Sequence, residues 1–141
     1  MSPWMIYALL GAVAAASVSL LGKKGMEHIP PTAATTVRSL VMTLFLLLVT
    51  LGQGQLSAMK QVRGPALWLV ALSGIGGAVS WLFMFKALSL ADVRQVMPID
   101  KLSLPLGILL AAILLGERPS YLNWAGVALM TGGAVLATWK A

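Results

Sequence analysis

The chain has 141 residues, of which 59% are hydrophobic and only 10% are charged, and its mean hydropathy is +0.90. Because a soluble domain carries about 25% charged residues, so few charges cannot cover a water-facing surface of this size. The net charge of +6 comes from scattered basic residues rather than from one basic face, which excludes a nucleic-acid-binding protein. The absence of cysteine excludes disulfides, thiol catalysis and thiolate metal sites. The composition therefore indicates an integral membrane protein.

Five apolar stretches are each long enough to cross a bilayer core, which needs about 20 helical residues. The first lacks the basic residues that open a signal peptide, so we expect it to stay in the protein. The second contains Arg38, the third ends at Lys86, and the fifth is uncharged. The fourth contains Asp100 and Lys101. The pattern predicts an all-α bundle of five transmembrane helices that forms one domain over residues 1–141. The predicted helices cover residues 4–21, 33–51, 66–85, 93–115 and 121–139.

Small residues recur four positions apart in these helices, for example at Gly76 and Ser80 and at Gly133 and Ala137. Small side chains at this spacing allow helix backbones to approach closely in lipid. The spacing therefore predicts close helix packing.

An odd number of spans places the two chain ends on opposite sides of the membrane. The positive-inside rule favours a cytoplasmic C-terminus, but by a margin that also suits insertion in both orientations. The basic residues of the N-terminal side are Lys60, Arg63 and Arg118, and those of the other side are Lys23, Lys24, Lys86, Arg94 and Lys140, with Arg38 added if it counts at the helix end.

Ionisable side chains at membrane depth are costly and are therefore candidates for function. Arg38 lies about 9 Å along its helix from the end on the C-terminal side of the membrane, and Asp100 and Lys101 lie about 13–15 Å in from Ala91. We expect Arg38 to pair with Asp100, either as part of a binding site or only to lock the fold. Asp100 and Lys101 point about 100° apart, so they are not expected to pair with each other.

Two prolines flank these charges. Pro98 cannot donate a hydrogen bond to the carbonyl of Arg94, and Pro105 cannot donate one to that of Lys101. The fourth helix is therefore predicted to kink or open at its charges, as the helices of transporter binding sites do.

The sequence offers little for catalysis or for a cofactor. The single histidine, His28, lies in a loop, so neither a His-Glu-x-x-His metal site nor a buried Ser–His dyad is expected. No Walker loop is present, so direct use of ATP is not expected. We predict neither enzymatic activity, nor a cofactor, nor a metal.

The stretches most typical of a known family are Pro98-Ile99-Asp100-Lys101-Leu102-Ser103 and Leu115-Gly116-Glu117-Arg118, together with Tyr7–Leu9, Val37–Ser39, Ser80–Leu82, Lys86–Leu88, Trp124–Val127 and Gly132–Gly133. They resemble the EamA-type branch of the drug/metabolite transporter superfamily, in particular its short five-helix bacterial members. This resemblance implies a multi-pass protein of the bacterial cytoplasmic (inner) membrane. Longer members look like two five-helix units fused in opposite orientations into a ten-helix carrier. The resemblance therefore implies an antiparallel homodimer of inverted repeats, with a related partner protein as the second choice.

The function expected from this resemblance is secondary transport, of the exporter type, of small polar metabolites by alternating access. Basic side chains would attract an anionic or zwitterionic substrate, and Ser80 and Trp81 would line its path. No acidic residue occurs in the first helix, which disfavours a small multidrug-type exporter. The alternatives are a translocator of lipids or lipid-linked sugars and a non-transporting membrane subunit. The predicted path comprises Arg38, Ser80, Trp81, Lys86, Asp100, Lys101 and Ser103.

Overall fold

A computed structural model describes residues 2–139, and within this range the chain is helical and contains no strand. Lys140, which counts toward the predicted orientation, lies outside the described residues. Seven helices follow one another in the described range: α1 (Pro3–Gly25), α2 (Pro31–Gly52), α3 (Leu56–Met59), α4 (Pro65–Leu90), α5 (Val93–Asp100), α6 (Ser103–Leu114) and α7 (Tyr121–Thr138).

Prolines open α1, α2 and α4, at Pro3, Pro31 and Pro65. A proline suits the first helical position because its missing N–H would have no partner there. The last turn of α1 contains Lys23 and Lys24, although the sequence predicts that the helix ends before them. Positive charge near a helix C-terminus interacts favourably with the helix dipole, so these lysines favour an extra turn of helix.

Four stretches of the described chain are long and apolar enough to cross a membrane: α1, α2, α4, and α5 with α6 taken together as Val93–Leu114. No more than 6% of each of these spans is buried. Apolar side chains exposed in such number are suited to lipid rather than to water. Helix α7 has 18 residues but is not among the four spans, so a fifth span stays a prediction.

The described residues form two compact units, one of residues 21–89 and one of residues 2–20 and 90–139. In the 21–89 unit the buried side chains gather where α2 begins and α4 ends. Phe85 and Leu88, with 2% and 0% of their surface exposed, are the most deeply buried. The other buried residues of this unit are Met26, Thr35 and Met84.

The last turn of α1 is fixed to the end of α4 by two contacts. A Cβ atom added to Gly22 would lie 2.8 Å from the ring atom Cζ of Phe85, so only glycine allows this approach. The Nζ atom of Lys23 donates a hydrogen bond of 2.7 Å to the carbonyl of Leu88. This bond satisfies one of the carbonyls that the last turn of a helix leaves without an intrahelical partner.

In the other unit, α7 packs against both α5 and α6. The sequence predicts a span over residues 93–115 that kinks or opens at its charges, and the structure divides this span there into α5 and α6, separated at Lys101 and Leu102. The break falls between Pro98 and Pro105. Because Pro105 has no N–H, the carbonyl of Lys101 accepts a bond of 3.1 Å from the amide of Leu104 instead.

Candidate functional site

Arg38 lies two turns into α2 and is stacked on an aromatic side chain of α4. Its guanidinium carbon is 3.7 Å from the centroid of the Trp81 ring and 5.9 Å from that of Phe85. Tryptophan is the aromatic residue that attracts a cation most strongly, and the planar guanidinium suits stacking. The contact therefore holds the positive charge against α4, inside the 21–89 unit.

Trp81 is supported from behind by Phe85. The two ring centroids are 5.6 Å apart and the ring planes meet at 85°, which is a favourable edge-to-face arrangement. Because Phe85 is buried and its ring lies against Gly22, it cannot move without disturbing α1. We call Phe85, Trp81 and Arg38 the aromatic stack; its inner end is buried and its outer end is charged.

The guanidinium N–H groups of Arg38 have no hydrogen-bond acceptor within the described 21–89 unit. A guanidinium has five N–H donors and no acceptor, and the contacts of Arg38 in this unit are with aromatic rings. A charged side chain at membrane depth ordinarily faces a partner or a cavity. The donors of Arg38 are thus available to a carboxylate or a phosphate, which arginine can bind through two parallel hydrogen bonds.

A cavity of about 440 Å³ lies beside this charge, between α2 and α4. Its lining residues on α2 follow one another at four-residue spacing, and those on α4 at three- and four-residue spacing, so each set occupies one face of its helix. We call this cavity the α2–α4 groove. It is lined by Arg38, Ser39, Met42, Thr43 and Leu46 of α2 and by Gly74, Gly77, Ala78 and Trp81 of α4.

Small residues on α4 create the space of the groove. The sequence predicts that such residues bring helices together, but a Cβ atom on Gly74 or Gly77 would meet no other atom within 4 Å in the described chain. The same is true of Gly76 and Gly133. Gly22 is the exception, as its contact with Phe85 shows. Within the described chain, the α4 glycines therefore leave room instead of making a contact.

Two other residues of the predicted path lie on α4 without lining the groove. Ser80 is exposed, and it precedes Trp81 by one residue, which turns it about 100° around the helix. Lys86 is exposed near the end of α4, and its carbonyl accepts a bond of 2.7 Å from Ser89 Oγ. Of the path predicted within this unit, the structure brings Arg38 and Trp81 together.

Sequence reasoning missed most of the groove lining, although the spacing contains it. Met42 and Leu46 follow Arg38 by four and eight residues. Gly77 and Gly74 precede Trp81 by four and seven residues. A search for residues on the same helical face as Arg38 and Trp81 finds the groove.

Asp100 and Lys101, also of the predicted path, lie in the second unit and pair with each other. Lys101 Nζ is 3.3 Å from Asp100 Oδ2, so the expectation that these neighbours would not pair is wrong. Lys101 follows the last residue of α5 and still has a helical backbone conformation, so it is the length and flexibility of the lysine side chain that let its Nζ atom reach Asp100. Arg38 and Asp100, the pair expected from the sequence, thus belong to different units, and each has another partner in its own. Ser103, also of the predicted path, opens α6 and is exposed.

A second cavity, of about 500 Å³, lies where α6 connects to α7. Gly116, with a φ of +69°, makes the turn after α6 in a conformation that favours glycine. Ser120 caps α7 by accepting a bond from the amide of Asn123. This cavity is lined by Ile108, Glu117, Arg118, Pro119, Ser120 and Asn123. Among residues 2–139, no three His, Cys, Asp or Glu side chains are grouped so that they could hold a metal ion.

Comparison with known proteins places these features in a family. A sequence profile of the EamA-like transporter family matches residues 2–139. The chain is 35% identical over 133 residues to a Sinorhizobium protein named as an uncharacterized transporter in the cobO 3′ region, and the match covers 94% of each chain. It is 30% identical over 127 residues to the riboflavin transporter of Vibrio cholerae, in a match that covers 89% of this chain but 41% of that protein.

No solved structure matches the chain with statistical significance. The family match extends over nearly the whole sequence, and the full-length relative is itself named as a transporter. Together with the four apolar spans, these matches identify the chain as a multi-pass membrane transporter that belongs to the EamA-like transporter family.

Proposed function

We propose that this protein is a secondary transporter that exports small polar metabolites with an anionic or zwitterionic group, and that Arg38 binds that group. The observation that carries the proposal is the guanidinium of Arg38, which lies over Trp81 beside a cavity of about 440 Å³. Ligand sites of small molecules are typically about 300–1,000 Å³ and mostly apolar, with a few polar groups that orient the ligand. Met42, Leu46 and Ala78 supply the apolar lining here.

An anionic substrate is favoured because it would compensate the positive charge of Arg38. The charge of Arg38 is held where lipid and apolar side chains replace water, so an anionic partner gains more from it than it would in solution. Charge-assisted hydrogen bonds are the strongest ones in proteins. Binding of an anionic substrate would therefore stabilise the charge of Arg38 and, at the same time, the negative charge of the substrate.

We further propose that transport follows alternating access between this chain and an inverted copy of itself in the bacterial inner membrane. The groove is open in the single chain, where 56% of the Leu46 surface is exposed. The match to less than half of the Vibrio cholerae riboflavin transporter supports the idea that one chain corresponds to one half of a longer carrier. Inverted repeats that rock about a central site are a common transporter design.

In the experiment, purified protein is placed in liposomes that are loaded with a mixture of riboflavin, amino acids and small organic acids. The solutes that are released from the liposomes are then identified by mass spectrometry. Riboflavin is included because one relative is named for it. We expect wild type to release at least one acid, and Arg38→Ala to reduce its release about tenfold to a hundredfold, the value of charged hydrogen bonds. Arg38→Lys should lie between, since lysine keeps the charge but not the planar fork.

The matched control is Arg63→Ala, which removes a positive charge whose Nε donates to the Lys60 carbonyl in the loop before α4. Release by this variant should equal that of wild type. Release by Arg38→Ala at the wild-type rate would remove Arg38 from the site. Movement of labelled lipid instead of any solute would favour a lipid translocator, and movement of neither would favour a non-transporting subunit.

A further inference from the structure

We infer that Ser39 and Thr43 determine the specificity of the groove, and that the transported solutes are polyhydroxylated organic anions of the sugar-acid class. This inference rests on the proposed function, because it assigns the remainder of the substrate whose anionic group Arg38 would bind. Ser39 and Thr43 lie one helical turn apart on α2, and both line the α2–α4 groove.

The hydroxyl groups of these two residues offer acceptors rather than donors. Ser39 Oγ donates to the carbonyl of Thr35 at 2.9 Å, and Thr43 Oγ1 donates to that of Ser39 at 2.9 Å. A hydroxyl has one donor and two acceptor lone pairs. Since each donor is used within α2, the lone pairs are what each hydroxyl can offer to a solute in the groove.

The groove thus has donors at one end and acceptors along the adjacent wall. Arg38 offers N–H donors, and Thr43 lies about 7.5 Å farther along the α2 axis at 1.5 Å per residue. Ser39 lies between them, about 6 Å from Thr43 by the same rise. A complementary solute has an acceptor group at one end and hydrogen-bond donors distributed over the next 2 to 8 Å, approximately the length of a six-carbon chain.

Hydroxyl donors fit this wall better than an ammonium group does. An ammonium beside Ser39 or Thr43 would share an apolar cavity with the positive charge of Arg38, and like charges repel strongly where water is excluded. The described lining of the groove contains no carboxylate to compensate it. Hydroxyl groups make the same hydrogen bonds without that cost, which narrows the substrate from any polar metabolite to a hydroxylated acid.

The test compares two dicarboxylates that differ only in their hydroxyl groups: galactarate, which has four, and adipate, which has none. Both are loaded separately into liposomes that contain the wild-type protein or a variant, and their initial release rates are measured. Thr43→Val preserves the side-chain shape without the hydroxyl, and Ser39→Ala removes the other hydroxyl. Thr50→Val is the matched control, because Thr50 Oγ1 donates to the carbonyl of Leu46 in the same way but does not line the groove.

We expect wild type to release galactarate at least tenfold faster than adipate. Thr43→Val and Ser39→Ala should each lower this ratio about three- to tenfold, which is the value of one hydrogen bond, while Thr50→Val leaves it unchanged. Arg38→Ala should slow release of both acids.

Equal release of the two acids by wild type, or an unchanged ratio in both groove variants, would overturn the inference. Release of an anion without hydroxyl groups but of neither dicarboxylate would overturn the substrate class and leave the transporter proposal standing. Failure to release any solute would overturn the proposed function, and the inference with it.

Discussion

Two regions of this protein hold charge within apolar helices, and they do so in opposite ways. Between α5 and α6, Asp100 and Lys101 lie 3.3 Å apart and neutralise each other. In the α2–α4 groove, Arg38 has the faces of Trp81 and Phe85 beside it and makes no ion pair within its own unit, where the carboxylate of Glu27 pairs with Lys24 instead. An aromatic face attracts a cation but leaves its net charge and its N–H donors in place.

The difference separates a charge with an ion-pair partner in its own unit from one without such a partner. The pair at the end of α5 can be explained by local structure, because the two residues are adjacent in the chain and the long lysine side chain reaches its neighbour. The charge of Arg38 has no such explanation within the 21–89 unit, and a cavity lies next to it. The sequence treats these three residues as one group, whereas the structure places Arg38 in one unit and Asp100 and Lys101 in the other. This division is the reason that we propose the groove, rather than the Asp100–Lys101 pair, as the binding site.

The largest effect is expected from filling the groove. Gly77→Leu places a large side chain where a Cβ atom has no neighbour within 4 Å in the described chain, so the protein should fold while the cavity is lost. The leucine would occupy volume that the proposed solute needs, so we expect the release rate to fall at least about tenfold, which corresponds to about 1.4 kcal/mol. Initial release rates from liposomes measure this loss of transport.

Gly76→Leu is the control, because Gly76 has the same open surroundings but does not line the groove. If both variants transport equally well, the groove is not the substrate site.

The second effect concerns the buried end of the aromatic stack. Gly22→Val would bring a side chain into the Phe85 ring, whose Cζ atom is 2.8 Å from the position of an added Cβ. We expect the protein to lose about 1–3 kcal/mol of stability, as for other overpacked sites. Thermal unfolding in detergent, followed by tryptophan fluorescence, measures it. Gly25→Val, in the same turn of α1 but with no atom within 4 Å, should leave the unfolding temperature nearly unchanged; equal losses would contradict the packing role of Gly22.

The third effect tests the aromatic support of Arg38. Trp81→Ala removes the ring beneath the guanidinium, and a cation–π contact is worth about 0.5–2 kcal/mol, so the apparent substrate affinity should fall about threefold to thirtyfold. Concentration-dependent release rates check this. Trp68→Ala is the control, since Trp68 is 72% exposed at the start of α4. An unchanged substrate affinity in Trp81→Ala would show that Arg38 does not need the Trp81 ring in order to bind the substrate.

The smallest effect is expected from breaking the ion pair of Asp100 and Lys101. Asp100 and Lys101 have side chains that are 34% and 49% exposed, and exposed ion pairs contribute about 0–1 kcal/mol. In a cycle of Asp100→Asn, Lys101→Met and the double variant, the coupling in unfolding free energy should stay below about 1 kcal/mol. Transport that depends on Arg38 should persist in the double variant. Loss of all transport there would move the site from the groove to α5 and α6.

The sequence predicted the helical, membrane-spanning character because apolar runs are long and charges are few. It also singled out Arg38 and Trp81, since a charge at membrane depth is conspicuous. It did not reveal that Arg38 stacks on Trp81, because that contact depends on how α2 and α4 are oriented about their axes. It misread Asp100 and Lys101 because the directions in which two side chains leave a helix do not fix where the end of a long lysine side chain lies. It read Gly76 as a packing residue, since composition alone does not show whether a small residue closes a contact or opens a space.

In the α2–α4 groove, the hydrogen-bonding groups and the small residues that create the space lie on different helices. On α2 lie the groups with donors and acceptors, Arg38, Ser39 and Thr43, whereas α4 contributes Gly74, Gly77 and Ala78, whose small size defines the volume. On the proposed function, substitutions at these three small residues would therefore change the largest solute that fits without removing Trp81, the α4 residue on which Arg38 stacks. Each added methylene on α4 would exchange space for about 0.8 kcal/mol of apolar contact. Chains with this arrangement can diverge in substrate size while keeping one chemistry, and the same separation offers a route to engineering them.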